Sequence, residues 1–288
     1  MKKLLFQLDT DAIPNAFDTV VAYDGGADHV VRVGNMTPDN VGRIVEGTVF
    51  TRAPAHKKFT ALFVTGSNIA DGQALFDAVK KCFFGNFRVS MMLDSNGGNT
   101  TAASAVAFIG RHCNPAGKRA VILAGTGPVG QRAAVMLARL GASVLVTSRQ
   151  QERAAAACRV MEQRFGITLE AAAAAGAAAT NACLDGAHIV LATGAAGIQL
   201  LTESQWATHP TLEVVIDANA SPPPGIGGIE MADRGTVRHG KICYGALGFG
   251  GLKLELHRAC VGRLFEANDL LLDAPEVFEL ASELVKSR

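Results

Sequence analysis

The sequence predicts an α/β protein of two domains, each built on a mainly parallel sheet, and three observations carry that expectation. Apolar runs alternate with helical periodicity through the first third of the chain. An apolar strand, a glycine turn, a helix and a second strand follow one another from Lys118 to Arg149. A late amphipathic segment, Leu252 to Phe265, then reads as a helix returning to the first domain. Strands separated by helices run parallel, because the crossover helix must lie on a face of the sheet.

Taken in order, Lys3 to Leu8 is a strand, and Ile13 to Ala22 is a helix with Asp11 as its cap and Pro14 in its first turn. A turn at 23–28 leads to a strand at His29 to Val33, then a helix from Pro38 to Glu46 opened by Thr37. Thr48 to Thr51 and Phe59 to Val64 read as strands, Ala70 to Phe84 as a helix with Leu75, Phe76, Val79 and Phe83 on one face, and Phe87 to Leu93 as an apolar strand. The turn Asn114 to Gly117 marks the boundary, so residues 1–113 with 252–288 form one domain and 114–251 the other. In the second domain, strand Arg119 to Ala124 is followed by strands at Val144 to Thr147, Thr168 to Glu170, Ala187 to Ala192 and Leu212 to Ile216. Helices at Glu152 to Arg164 and Ala171 to Ala182 lie among these strands, and a glycine-rich turn at 244–251 opens the helix Leu252 to Phe265.

The glycine turn carries the strongest functional signal. Gly125-Thr126-Gly127-Pro128-Val129-Gly130 lies between strand and helix, the setting in which such a fingerprint identifies a Rossmann-type dinucleotide site. Gly125 permits the tight turn, Gly127 lets backbone N–H groups approach a pyrophosphate, and Gly130 allows helix to pack on strand, while the helix N-terminus favours the phosphate charge. The next strand ends in Ser148 and Arg149 where NAD sites carry a carboxylate. A guanidinium beside a hydroxyl suits a 2′-phosphate, so NADP is the expected cofactor; the plain alternative for Arg149 is a solvated surface charge. By the strand-end rule, Thr193-Gly194-Ala195 and Asn219 also line the cofactor site.

The segment Asp94 to Thr101 follows the last strand of the first domain and has two readings, a substrate surface bearing Asp94, Asn99, Thr100 and Thr101, or a loop that caps the next helix. On the late helix, Lys253 and His257 share a face at i and i+4, beside the apolar stripe Leu252, Leu256, Ala259, Cys260 and Leu264. From spacing alone, Lys253 reads first as a surface lysine and second as a residue near the cleft.

Composition limits the alternatives. Hydrophobic residues make up 49% and charged residues 18% of 288, with a net charge of +1, which gives no reason to expect nucleic acid or an anionic membrane. No apolar run is long enough to span a bilayer, and Asp9 interrupts the N-terminal apolar stretch too soon for a signal sequence, so a cytoplasmic protein is expected. The six cysteines and seven histidines show no metal-ligand spacing, and no metal is expected.

Phe6 to Asp11, Tyr23 to Asp28, Thr37 to Gly42, Met92 to Gly97 and Gly248-Phe249-Gly250-Gly251-Leu252-Lys253-Leu254 together resemble the methylene-tetrahydromethanopterin dehydrogenases of methylotrophic bacteria. The resemblance spans nearly the whole chain. It implies oxidation of a methylene-tetrahydropterin to the methenyl form with NADP in formaldehyde oxidation, a two-domain fold like that of bacterial methylene-tetrahydrofolate dehydrogenases, and a homo-oligomer, a trimer. It also moves Lys253 into the active site, with Asp94, Asn99, Thr100, Thr101 and His257 as substrate residues. Glu255 and Ser148 depart from the NADP-specific pattern, which has a second lysine and a small residue there, and leave NAD open as a second cofactor.

The chemistry suits a sequence without a His/Asp dyad. Loss of hydride from a carbon between two pterin nitrogens leaves a cation that those nitrogens stabilise, so no base need act in that step, unlike alcohol oxidation. Two other readings differ in what they require. A shikimate-type hydroxyacid dehydrogenase needs a Lys and Asp pair, and Lys253 is in the wrong third of the chain for it; a non-catalytic NADP-binding regulator binds NADPH without turnover.

Overall fold

The computed structural model describes residues 1–287. The chain divides into two compact units, one of Met1–Thr100 with Leu254–Leu280, the other of Thr101–Lys253 with the segment from Ala281 onward.

The first unit begins with β1 (Leu4–Asp9), α1 (Ala16–Asp24), β2 (His29–Val33), α2 (Gly42–Phe50) and a 3-10 turn at Pro54–Phe59. β3 (Thr60–Thr65), α3 (Ile69–Cys82), β4 (Ser90–Leu93) and the start of α4 (Gly98–His112) follow. β3 pairs in parallel with β1 and β4, and every one of its residues is buried, as expected for an apolar strand covered on both faces. Leu8, Val45, Leu62, Val64, Leu75, Phe76, Met91 and Leu93 form the core on one side of this sheet.

Two expectations near the N-terminus are corrected. α1 starts at Ala16 with Asn15 as its cap, accepting from the Phe17 amide at 2.8 Å, while the Asp11 carboxylate instead accepts from the Ser67 amide and hydroxyl at 2.9 Å each. Pro14 keeps Ile13 out of helical geometry, and the helix opens three residues later than expected, after the Asn15 cap. The segment Thr48–Thr51, expected as a strand, is the end and cap of α2, in which Val45 and Val49 face the core and the Thr48 hydroxyl donates to the Val45 carbonyl.

The second unit contains the rest of α4, then β5 (Arg119–Leu123), α5 (Pro128–Arg139), β6 (Ser143–Ser148), α6 (Gln151–Phe165), β7 (Glu170–Ala173) and α7 (Ala177–Leu184). β8 (Ile189–Ala192), α8 (Glu203–Trp206), β9 (Val214–Asp217), β10 (Arg234–Arg238), β11 (Lys241–Tyr244) and the first half of α9 (Ala246–Arg263) complete it. Its sheet has the order β10-β11-β9-β8-β5-β6-β7, parallel except for the antiparallel edge pair β10 and β11. The strand order reverses between β5, β6 and β8, the place where ligands of open α/β sheets bind. Trp206, Leu201, Ile226, Val190 and Val215 pack together on one face of this sheet.

Here too the structure differs from the pattern. Ala171–Ala173 belongs to β7, paired with β6, although alanine favours helix; sheet pairing overrides intrinsic propensity. The run 244–251, expected as a turn, is already helical from Ala246, with Gly245 and Gly248 in close contact with a neighbouring segment. The chain returns to the first unit through the second half of α9, then β12 (Leu271–Leu272), parallel to β4, and α10 (Ala274–Lys286). The five strands of the first sheet therefore lie in the order β12-β4-β3-β1-β2.

Candidate functional site

The loop between β5 and α5 brings the glycines together as the spacing requires, with one change of role. The left-handed backbone position belongs to Ala124, with φ of 52°, and not to Gly125. Gly125 is needed because a Cβ there would lie 2.8 Å from Ile122 Cγ2 and 3.0 Å from Val146 Cγ1. A Cβ on Gly130 would be 2.5 Å from the Gly125 Cα and 2.6 Å from Thr193 Oγ1, so helix and loop touch there. At Gly127, the cap of α5, a Cβ would meet nothing within 4 Å. The only glycine of the three with open space is the one expected to admit a phosphate. Pro128 occupies the first helical position, where its missing N–H costs nothing, and Gln131 Nε2 donates to the Thr126 carbonyl at 2.7 Å to fix the loop. Open backbone at the N-terminus of a 12-residue helix fits a dinucleotide pyrophosphate.

A pocket adjoins this loop beyond the ends of β5 and β6. Its lining includes Ser148 and Arg149, the pair expected there, together with Ala124, Thr147, Ala174 and Thr180. Arg149 is exposed and Ser148 nearly buried, with the Ser148 hydroxyl accepting from the Gln150 amide at 3.4 Å. Ala174 and Thr180 are functional candidates that sequence reasoning missed. Ala174 follows β7 and was obscured by reading that strand as helix; Thr180, in an alanine-rich helix, gave no signal.

The other strand-end residues are tied into the protein. The Thr193 hydroxyl donates to the carbonyls of Leu123 and Ala124 at 3.2 and 3.4 Å, holding the end of β8 against the glycine loop. A Cβ at Gly194 would lie 2.8 Å from Leu200 Cδ1, and Ala195 is exposed. Asn219 accepts from the Ser221 amide and donates to the Pro223 carbonyl, both at 3.0 Å. Asp217, at the end of β9, accepts from the Asn219 amide at 3.0 Å and the Ile226 amide at 3.1 Å. Burial pushes the Asp217 carboxyl above its ordinary range, against these amides, so it acts as a fixed clasp on the loop 218–226.

In the first unit, Asp94, Asn99, Thr100 and His257 come together and are fully buried; Thr101, the next residue of α4 and the first of the second unit, is partly exposed. Asp94 Oδ1 accepts from the amides of Asn99 at 2.8 Å and Thr100 at 3.1 Å, and Oδ2 accepts from the Thr100 hydroxyl at 2.6 Å. Asn99 Nδ2 donates to the Leu93 carbonyl at 2.6 Å. Of the two readings of this loop, the geometry favours the cap, and Asp94 is the residue that accepts from the first turn of α4. His257 Nδ1 lies 3.8 Å from Asp94 Oδ2, and its ring meets Phe63 edge-on at 5.4 Å, so His257 faces the core with the apolar stripe. Burial, followed by the Asp94 charge, pushes the Cys260 thiol well above its usual range; this cysteine is an inert part of the cluster.

Lys253 is partly exposed on α9, one turn before His257. The glycines before it divide into two kinds. A Cβ on Gly245 would sit 2.1 Å from the Glu230 carbonyl and one on Gly248 1.7 Å from the Asp233 carbonyl, so both are required for close contact with the 230–234 segment. Gly250 and Gly251 would meet nothing within 4 Å. The turn that leads to Lys253 thus presents bare backbone on one side for no packing reason.

Among the described residues no cluster of three His, Cys, Asp or Glu side chains could hold a metal ion, all six cysteines are free, and no helix is long and apolar enough to cross a membrane.

Comparison with known proteins gives concordant results. A family model described as methylene-tetrahydromethanopterin dehydrogenase, N-terminal, matches residues 16–96. A Methylorubrum extorquens protein named bifunctional protein MdtA is 51% identical over 98% of this chain and 99% of its own length. A second protein of that organism, named NAD(P)-dependent methylenetetrahydromethanopterin dehydrogenase, is 32% identical over 93% of this chain and 94% of its own. Among solved structures, a shikimate 5-dehydrogenase from Mycobacterium fortuitum superposes with a TM-score of 0.53 at 15% identity, over 97% of both chains; the likeness is one of fold.

Proposed function

Because the chain belongs to the methylenetetrahydromethanopterin dehydrogenase family, we propose that it oxidises methylene-tetrahydromethanopterin to the methenyl form by hydride transfer to NADP. The observation that carries the cofactor half is the glycine loop, closed at Gly125 and Gly130 and open at Gly127, beside a pocket lined by Ser148 and Arg149. NADP, when bound, supplies the hydride-accepting nicotinamide. The chain's own residues bind and orient. The α5 N-terminus takes the pyrophosphate, with Thr126, Pro128 and Val129 shaping the loop, and Arg149 and Ser148 take the 2′-phosphate. Thr193, Gly194, Ala195 and Asn219 form the remaining wall. NAD is a second acceptor, in keeping with the NAD(P)-dependent relative.

For the pterin half, Lys253 contacts and orients the substrate, and the open backbone of Gly250 and Gly251 leaves room for a flat ring system to approach α9. Lys253 does not stabilise the product, since one cation repels another; its role is alignment of the donor carbon. Asp94, Asn99, Thr100 and His257 act from within the core as positioning residues for α4 and α9, with Thr101 at the accessible edge. We assign substrate binding to residues 1–113 with 252–288 and cofactor binding to 114–251; the compact units divide instead after Thr100 and after Lys253, so that Thr101 and Lys253 fall in the second unit. Methylene-tetrahydrofolate shares the reacting ring and is a second substrate. The protein works in the cytoplasm as a homo-oligomer, a trimer, in formaldehyde oxidation.

Lys253→Ala tests the assignment. The variant should lose most methylene-pterin oxidation while NADPH binding, followed by fluorescence, persists; near-normal turnover would remove Lys253 from the site. Crossing two pterins with two cofactors in one spectrophotometric assay measures the substrate and cofactor preferences directly.

A further inference from the structure

The second unit contains another cavity, of about 340 Å³, that the hydride-transfer reading does not use. It lies between the last turn of α4 and the edge pair β10 and β11, and is lined by Phe108, Arg111, His112, Arg234, Gly235 and Tyr244. Four strand spacings separate β11 from β6, about 19 Å, so this cavity is remote from the pocket at Arg149.

Its charge is unbalanced. Two guanidiniums line it and no carboxylate does, and among the described residues neither Arg111 nor Arg234 has an acidic partner. Arg238, on the same hairpin, shows the contrast: it holds Asp233 in a two-pronged pair at 2.6 and 2.8 Å, the geometry of a structural arginine. The floor is rigid. Tyr244 stacks on Phe108 at 4.7 Å between ring centres, and its hydroxyl lies 2.8 Å from His112 Nε2. Burial, then the Arg111 charge, lowers the His112 pKa, which favours the neutral ring; with its proton on Nε2 that ring donates to the phenol oxygen and leaves the phenol proton for a ligand in the cavity. Burial raises the Tyr244 pKa while the charges of Arg111 and Arg234 pull it down, so both cations act on the same hydroxyl. Gly235, with φ of 70°, keeps that hydroxyl uncovered, since a Cβ there would lie 3.1 Å from Tyr244 Oη.

We infer that this cavity is a binding site for a small oxyanion, a phosphate ester or a carboxylate, gripped by Arg111 and Arg234 and accepting from the Tyr244 hydroxyl. The volume is at the small end of the range for metabolite sites, which suits a compact anion and not a dinucleotide. The inference is independent of the reaction assigned above.

The chain has two tyrosines, Tyr23 and Tyr244, so 3-fluorotyrosine labelling gives two fluorine resonances that Tyr244→Phe assigns. Titration of the full chain with inorganic phosphate, glycerol 3-phosphate and glutarate in turn should move the Tyr244 resonance saturably, and the strongest response identifies the ligand's source. The double variant Arg111→Gln, Arg234→Gln should weaken that response by about tenfold or more, with NADPH binding unchanged. Arg149→Ala should leave it intact, separating this cavity from the cofactor's own phosphate sites. A Tyr244 resonance that none of the three anions moves, or one that moves equally in the double variant, overturns the proposal.

Discussion

Arg149 is the one charged side chain on the lining of the pocket beyond β6 among the described residues, so its removal has an outcome that depends on the cofactor. Arg149→Ala should raise the KM for NADP by about tenfold or more and leave that for NAD little changed, because the lost charge-assisted bonds go only to the 2′-phosphate. Steady-state assays with both cofactors check this, and equal changes would detach Arg149 from that phosphate. Asp94 works differently, through the fold. Asp94→Ala strands the amides of Asn99 and Thr100 and the Thr100 hydroxyl in a buried place, and should cost about 2 kcal/mol, read from the denaturant midpoint. Both residues were legible as polar strand-end positions; Arg149 lines the pocket beyond β6 as its position implied, whereas Asp94 is a buried helix cap. A carboxylate that caps a helix and one that binds a substrate look alike until burial is known.

At the scale of elements, packing requires Gly245 just before α9 and Gly248 in its first turn, but not Gly250 and Gly251 in the turns that follow. Gly248→Ala would push a methyl into the Asp233 carbonyl and should destabilise the protein by about 1–3 kcal/mol, whereas Gly250→Ala should match or exceed the parent in thermal stability, since alanine favours helix. If the pterin approaches this face, Gly250→Ala lowers turnover without lowering stability; unchanged kinetics would move the substrate off α9. This helix shows why part of the fold escaped the sequence. A glycine-rich run signals a turn by composition, and only the neighbouring segment 230–234 reveals that Gly245 and Gly248 are contact surfaces. The strands β1, β2, β3, β5, β6, β8 and β9 were legible because each is a short apolar run bounded by turn residues. The edge pair β10 and β11 was not, since its outer strand alternates Arg234, Thr236 and Arg238 with little apolar content. The Rossmann loop was legible to the residue, apart from the left-handed position at Ala124, which a non-glycine occupies.

For the whole molecule, cofactor binding and stability are linked. NADP at about a hundred times its Kd should stabilise the protein by roughly 2.7 kcal/mol. Hydrogen exchange should localise new protection to the glycine loop, the end of β6 and the loop clasped by Asp217; protection confined to the first unit would contradict the cofactor assignment. The pairing of β12 with β4 has a different consequence, one for synthesis. The Leu270 amide reaches the Ser90 hydroxyl across 180 residues of chain, so the partner of this strand leaves the ribosome long after β4 does. At ordinary elongation rates that gap lasts roughly 10 to 35 s, during which the flank of a nascent sheet stands open to other chains. The other pairings of this sheet join strands far closer in sequence, so its β4 flank is the last to be covered.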